Sequence, residues 1–249
     1  PASIADGVTG VRKAVRQTVR AGADFVKVLA THSGGARYDR TRYSVEELQA
    51  IGEEARAAGL PVVTHAYGSD AVKDAIRYAG TRSIEHLIDL DDEAIALMRD
   101  HGVWLVPTLT RLYRRVVETE ANRREMLGHQ DGGHDARRQW EVAVDAFQRA
   151  QAAGVRMAMG TDTGNTDGRN LDELAAMQAA GMPAYAVLHA ATLSSAELMG
   201  MDADLGSIEA GKLADLVVLD GVGGEDLTGL VERIRAVYKD GVLLHQRTA

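Results

Sequence analysis

Four residues carry most of the chemistry available to this chain: Lys27, His65, His86 and Asp162. They lie in DFVKVLA, VVTHAYG, RSIEHL and RMAMGTDTG, each at the end of a short apolar run that leads into a helical pattern. Imidazole and carboxylate are ligands for several divalent metals. An amine inside an apolar run is a group that burial neutralises readily. The set therefore predicts a metal site at the mouth of a β/α barrel. No His-x-His pair precedes Lys27, where such a site would find its other two ligands.

The elements that must position these residues follow from periodicity. Apolar runs near 24–30, 62–66, 83–87, 103–108 and 155–160 predict five strands, separated by helical patterns, and this alternation predicts a parallel α/β arrangement. Ser44 and Glu47 form a capping-box signature for a helix that runs to about Ala58. Ser69 is expected to cap a helix through Tyr78, stopped by Gly80. Residues beyond about 204 change character, with β-rich runs and Asp-Gly turn signals. Side chains alternate across a strand with period two. On that rule Phe25, Lys27 and Leu29 share a face, as do Val63 and His65, Ile84 and His86, and Ala158, Gly160 and Asp162, while Glu85 points away. All four polar residues then face one interior, at the carboxyl ends of their strands, where barrel enzymes place their chemistry.

Composition narrows the class. With 249 residues and a formal net charge of −8, the chain lacks the basic surface that nucleic acid requires. There is no cysteine, so a metal must be held by His, carboxylate or similar groups. No apolar run approaches the roughly 20 residues of a membrane span. The compartment is not fixed by these features, and a cytoplasmic location is the working expectation. The start PASIADG, without Met or an apolar leader, is expected of a trimmed or longer chain.

The order Lys, His, His, Asp on successive strands resembles the amidohydrolase superfamily, in its imidazolonepropionase-like and Xaa-Pro dipeptidase (prolidase-like) branch. The stretches that carry the resemblance are RYSVEELQAIGEEARAAGLPVVTHAYG, SIEHLIDLDDEAIALM, GVWLVPTL, MGTDTG, HAATLSSAELMGM and LGSIEAGKLADLVVLDG. The resemblance implies a metal-dependent hydrolase of TIM-barrel (β/α)8 type. Residues 1–204 would hold barrel strands 4–8, and residues 205–249 the tail of a composite β-sandwich. It further implies two divalent metals, taken as zinc, with Lys27 N-carboxylated as their bridge. His65 and His86 would hold the more exposed metal, and Asp162 would bind the buried one and handle protons. Tyr67 is placed to contact the substrate, with His32 and Tyr43 as further substrate candidates. The basic loop THSGGARYDRTRY hints at a carboxylate-bearing substrate.

The implied reaction is hydrolysis of amide bonds in dipeptides or N-acyl amino acids. Ring-opening or deaminating chemistry, as in imidazolonepropionases, is the alternative, and Lys27 disfavours it because those relatives lack the bridging lysine. A third reading is an inactive fragment or pseudoenzyme. The absent His-x-His and early strands imply a preceding segment or another chain as partner, and homo-oligomerisation is expected through open sheet edges. Leu87, standing where many relatives have Gly, is expected to narrow the pocket.

Overall fold

The computed structural model describes residues 4–31, 41–122, 132–162, 169–221 and 225–248. The chain divides into two compact units, one of residues 1–107 and 141–156, the other of residues 108–140 and 157–249.

The first unit is an α/β layer. Its strands are β1 (Val26–Leu29), β2 (Val62–His65), β3 (Ser83–Glu85) and β4 (Trp104–Val106), all parallel, in the order β1-β2-β3-β4. Between and before them run α1 (Gly7–Arg20), α2 (Val45–Ala57), α3 (Ser69–Asp74, continued by a π-helical turn Ala75–Ala79) and α4 (Asp92–Asp100). Val28, Ile84 and Leu105 stack through the register on one face of the sheet and are almost wholly buried. The other face carries Lys27 and Leu29, which stay partly exposed. Ala143, Ala146, Phe147 and Ala150 bury one side of α6 (Gly132–Ala152), at helical spacing.

Local signals explain most of these boundaries. Ser44 and Glu47 close the expected capping box on α2, and Glu47 also accepts from the Gly7 amide at 2.7 Å. Arg16 and Arg12 on α1 ion-pair with Glu54 on α2 and hold its carboxyl down to about 2. Gly52 lets α2 approach the π-helical turn, since a Cβ there would lie 2.6 Å from the Ala79 carbonyl oxygen. Ser69 does not cap its helix. Gly68 is the N-cap, and the Ser69 hydroxyl instead joins the loop after β3, donating to the Asp89 carbonyl and accepting from the Asp91 amide.

The fifth expected strand does not form. Residues 155–160 join neither sheet as a strand, although the Leu105 amide donates to the Arg156 carbonyl at 2.9 Å. The described parallel strands make an open four-stranded sheet.

The second unit holds α5 (Thr110–Asn122), the start of α6, α7 (Asp172–Ala179), α8 (Ala184–Ala191) and α9 (Leu193–Met199). It also holds an antiparallel sheet of β5 (Leu216–Leu219), β6 (Ile234–Lys239) and β7 (Val242–Gln246), the β-rich character expected of the tail. No helix among the described residues is long and apolar enough to cross a membrane.

Candidate metal-binding site

The carboxyl ends of β1, β2 and β3 are level with one another, because Leu29 pairs with His65 and His65 with Glu85. His65 is the last residue of β2 and is 6 % exposed. Two residues on, Tyr67 is fixed by its amide, which donates to the buried Thr31 hydroxyl at 3.3 Å. The rings of His65 and His86 meet edge-on with centroids 4.5 Å apart, and Tyr67 stacks on His86 at 5.0 Å.

His86 reaches this cluster by a route that strand alternation does not predict. Glu85, expected to point away, lies on the face of Lys27 and forms an ion pair with it, while the Ser83 hydroxyl donates to its second oxygen at 2.5 Å. The strand ends at Glu85. His86 then adopts φ 74, in the left-handed region, which turns the chain and brings the imidazole beside His65. Its amide stays anchored to the Val106 carbonyl at 2.9 Å. A non-glycine residue held in that region costs of order 1–3 kcal/mol and is characteristic of functional sites.

Asp162 belongs to the second unit. It too is left-handed, with φ 47, and its carboxylate is 3.9 Å from the Arg111 guanidinium at the start of α5. Tyr43 is half-buried just before α2, and burial raises its phenol above the ordinary value. His32 lies outside the described residues. Leu87 is buried.

The donor chemistry fits part of a metal site. Two buried imidazoles side by side are suitable ligands for a divalent transition metal. Among the described residues no group of three or more His, Asp or Glu converges, so the two imidazoles by themselves amount to less than a full ligand set.

Glu173 is a buried ionisable residue with no motif in the sequence to mark it. It sits in the first turn of α7, fully buried, and accepts from the Leu109 amide at 2.7 Å, the Thr110 amide at 2.8 Å and the Thr110 hydroxyl. Burial pushes its carboxyl up to about 7, although these donors favour the charged form. In sequence it reads as an ordinary acidic residue in a first helical turn; the available signal is the apolar pair Ala176 and Met177 on the same helical face.

Between pH 4.5 and about 7 the folded chain keeps a proton at Glu173 that the unfolded chain has lost. Stability therefore falls as pH rises through that window and levels off above it. The loss is at most about 3 kcal/mol. Glu54, held down to about 2, contributes stability that is lost only below 4.5, outside this window. Urea midpoints below and above the window should show the decline, and Glu173→Gln should remove it. An equal decline in the variant would assign the effect to another group.

A profile of the amidohydrolase family matches residues 1–244, and the chain belongs to that family. It is 32% identical over 256 residues to ochratoxinase of Aspergillus niger, covering 98% of this chain and 51% of that protein. The structure of A. niger ochratoxinase superposes with a TM-score of 0.84, covering 99% of this chain and 56% of that one. A Xaa-Pro dipeptidase with methionine bound in the active site gives a TM-score of 0.81 at 34% identity, covering 97% of this chain and 59% of that one. Imidazolonepropionase of Symbiobacterium thermophilum is 30% identical over 208 residues, covering 79% of this chain and 43% of that protein. The chain spans about half the length of the curated relatives it matches.

Proposed function

We propose that this chain carries a large part of the active site of a metal-dependent hydrolase that cleaves amide bonds in small substrates, dipeptides or N-acyl amino acids. The observation that carries the reading is the packing of His65 against His86 at the carboxyl end of a parallel sheet, with Lys27 on the same sheet face as His65. The likeness to ochratoxinase and to a Xaa-Pro dipeptidase supports the choice of an amide substrate.

In this reading His65 and His86 hold one divalent metal, taken as zinc. Lys27 would serve as a further ligand once its ammonium has left Glu85 and lost a proton, the free amine has added carbon dioxide, and the resulting carbamic acid has lost a second proton. Asp162 would be another ligand. Ligands not found on this chain come from a preceding segment or another chain. Bound metal supplies Lewis-acid polarisation of the amide carbonyl and lowers the pKa of water. Asp162 takes a proton from the attacking water and returns it to the leaving nitrogen. Tyr67, beside both imidazoles, contacts the substrate carbonyl or carboxylate.

Metal analysis of the full-length protein, with kinetics on N-acyl amino acids and Xaa-Pro dipeptides, tests the reading. The expected result is two divalent metals per chain and kcat/KM of roughly 10⁴ M⁻¹s⁻¹ or more on a preferred substrate, abolished by chelation and restored by metal. Metal-free, inert full-length protein would contradict it. One metal per chain with ring-opening activity would support the imidazolonepropionase-like alternative.

A further inference from the structure

Arg111 opens α5 in the second unit, the same unit that contains Asp162. Its guanidinium approaches the Asp162 carboxylate only to 3.9 Å, beyond hydrogen-bond distance, and both side chains are more than half exposed. The donor fork of Arg111 is therefore not consumed by Asp162. The backbone just before it, in contrast, is held by hydrogen bonds. The two preceding amides, of Leu109 and Thr110, both donate to the buried Glu173, and Thr108 is held left-handed at φ 50. Asp162 is left-handed as well. A guanidinium that follows an anchored stretch of backbone, has an exposed side chain and lies beside a carboxylate on a left-handed backbone is suited to hold an anionic group next to the place where that carboxylate acts. Its planar fork matches a carboxylate in a two-point contact.

We infer that Arg111 is a specificity-determining residue that binds the free carboxylate of the substrate, so that the enzyme takes amides of amino acids with an unblocked acid in preference to neutral amides. The inference rests on the reading that Asp162 acts at the reacting end of the site. It moves the preference for acidic substrates from the basic loop before Tyr43 to one residue on a fixed helix start. Glu173 serves as the positioning residue, acting through the backbone of Leu109 and Thr110. Among the described residues, its carboxylate accepts from those two amides and the Thr110 hydroxyl.

The test compares an N-acyl amino acid with its own carboxamide in the full-length, metal-loaded protein. Wild type should prefer the acid. Arg111→Gln should raise KM for the acid roughly ten- to a hundredfold, the value of a lost charge-assisted contact, with kcat little changed and the carboxamide unaffected. Arg111→Lys should recover part of the loss, since it keeps the charge without the fork. Equal effects on acid and carboxamide, or no effect on either, would overturn the inference. Wild-type protein inert on both substrates would instead mean failure of the hydrolase reading. Calorimetric binding of the N-acyl amino acid to wild type and Arg111→Gln then decides the inference: weaker binding to the variant supports it, and equal binding overturns it.

Discussion

His86→Ala in the full-length protein is expected to lower kcat/KM on the preferred amide by more than about a hundredfold, with loss of at least one metal per chain. Loss of a residue that merely orients a ligand costs roughly 10–100-fold in metal affinity or activity, so loss of a ligand should exceed that. The structure separates this effect from loss of folding. His86 sits at φ 74 and is 6 % exposed, with its ring against His65 and Tyr67. The left-handed backbone is unfavourable for any residue with a Cβ, so His86→Gly should relieve strain while removing the imidazole. Both variants should lose activity alike, yet the glycine variant should unfold at higher denaturant than the alanine variant. His101, an exposed residue at the C-terminal end of α4, serves as the control, and His101→Ala should leave metal content and kinetics unchanged. Elemental analysis, kinetics and urea unfolding on the same preparations check all three statements. Wild-type activity in His86→Ala would remove His86 from the site.

Lys27→Ala is expected to act as strongly on activity and hardly at all on stability. The Lys27 side chain is 39% exposed and its partner Glu85 15%, on the strand at the edge of the described sheet. A partly exposed ion pair of this kind contributes about 0–1 kcal/mol. If Lys27 were only the counter-ion of Glu85, its removal would give a slightly less stable, active enzyme. If Lys27 is a metal ligand as proposed, metal content should fall from two per chain to one or none. Activity should drop by more than about a hundredfold, again beyond the range of an outer partner. Metal stoichiometry by elemental analysis is the deciding reading, and two metals retained in Lys27→Ala would assign the lysine to the ion pair alone.

The parts of the fold set by local chemistry could be read from the sequence, and the parts set by tertiary contacts could not. The Ser44–Glu47 capping box involves neighbours three residues apart, and it forms as expected. The alternation in β1 is likewise local, with Val26 and Val28 buried and Lys27 and Leu29 outside. Alternation failed at β3 because it assumes that the strand continues. Glu85 faces Lys27, the strand stops there, and a left-handed turn rather than strand parity carries His86 to His65. Residues 155–160 contain strand-like apolar residues but make few of the ladder bonds that would define a strand. Glu173 was invisible for a different reason. Its partners Leu109 and Thr110 are 64 and 63 residues away in sequence, and the local signal, Ala176 and Met177 on its helical face, points to burial without revealing the clamp. Arg111 gains its meaning from that clamp and from its approach to Asp162, both of which are long-range.

The central claim, that the strand ends holding His65 and His86 bind catalytic metal, is tested most directly by anomalous X-ray scattering from crystals of the full-length, metal-loaded protein. Recorded across the metal absorption edge, the signal should place a metal about 2.0–2.1 Å from a nitrogen of each of these imidazoles, the normal zinc–histidine distance. Strong anomalous signal elsewhere with none at His65 and His86, or a metal-loaded crystal with both imidazoles unligated, would contradict the account.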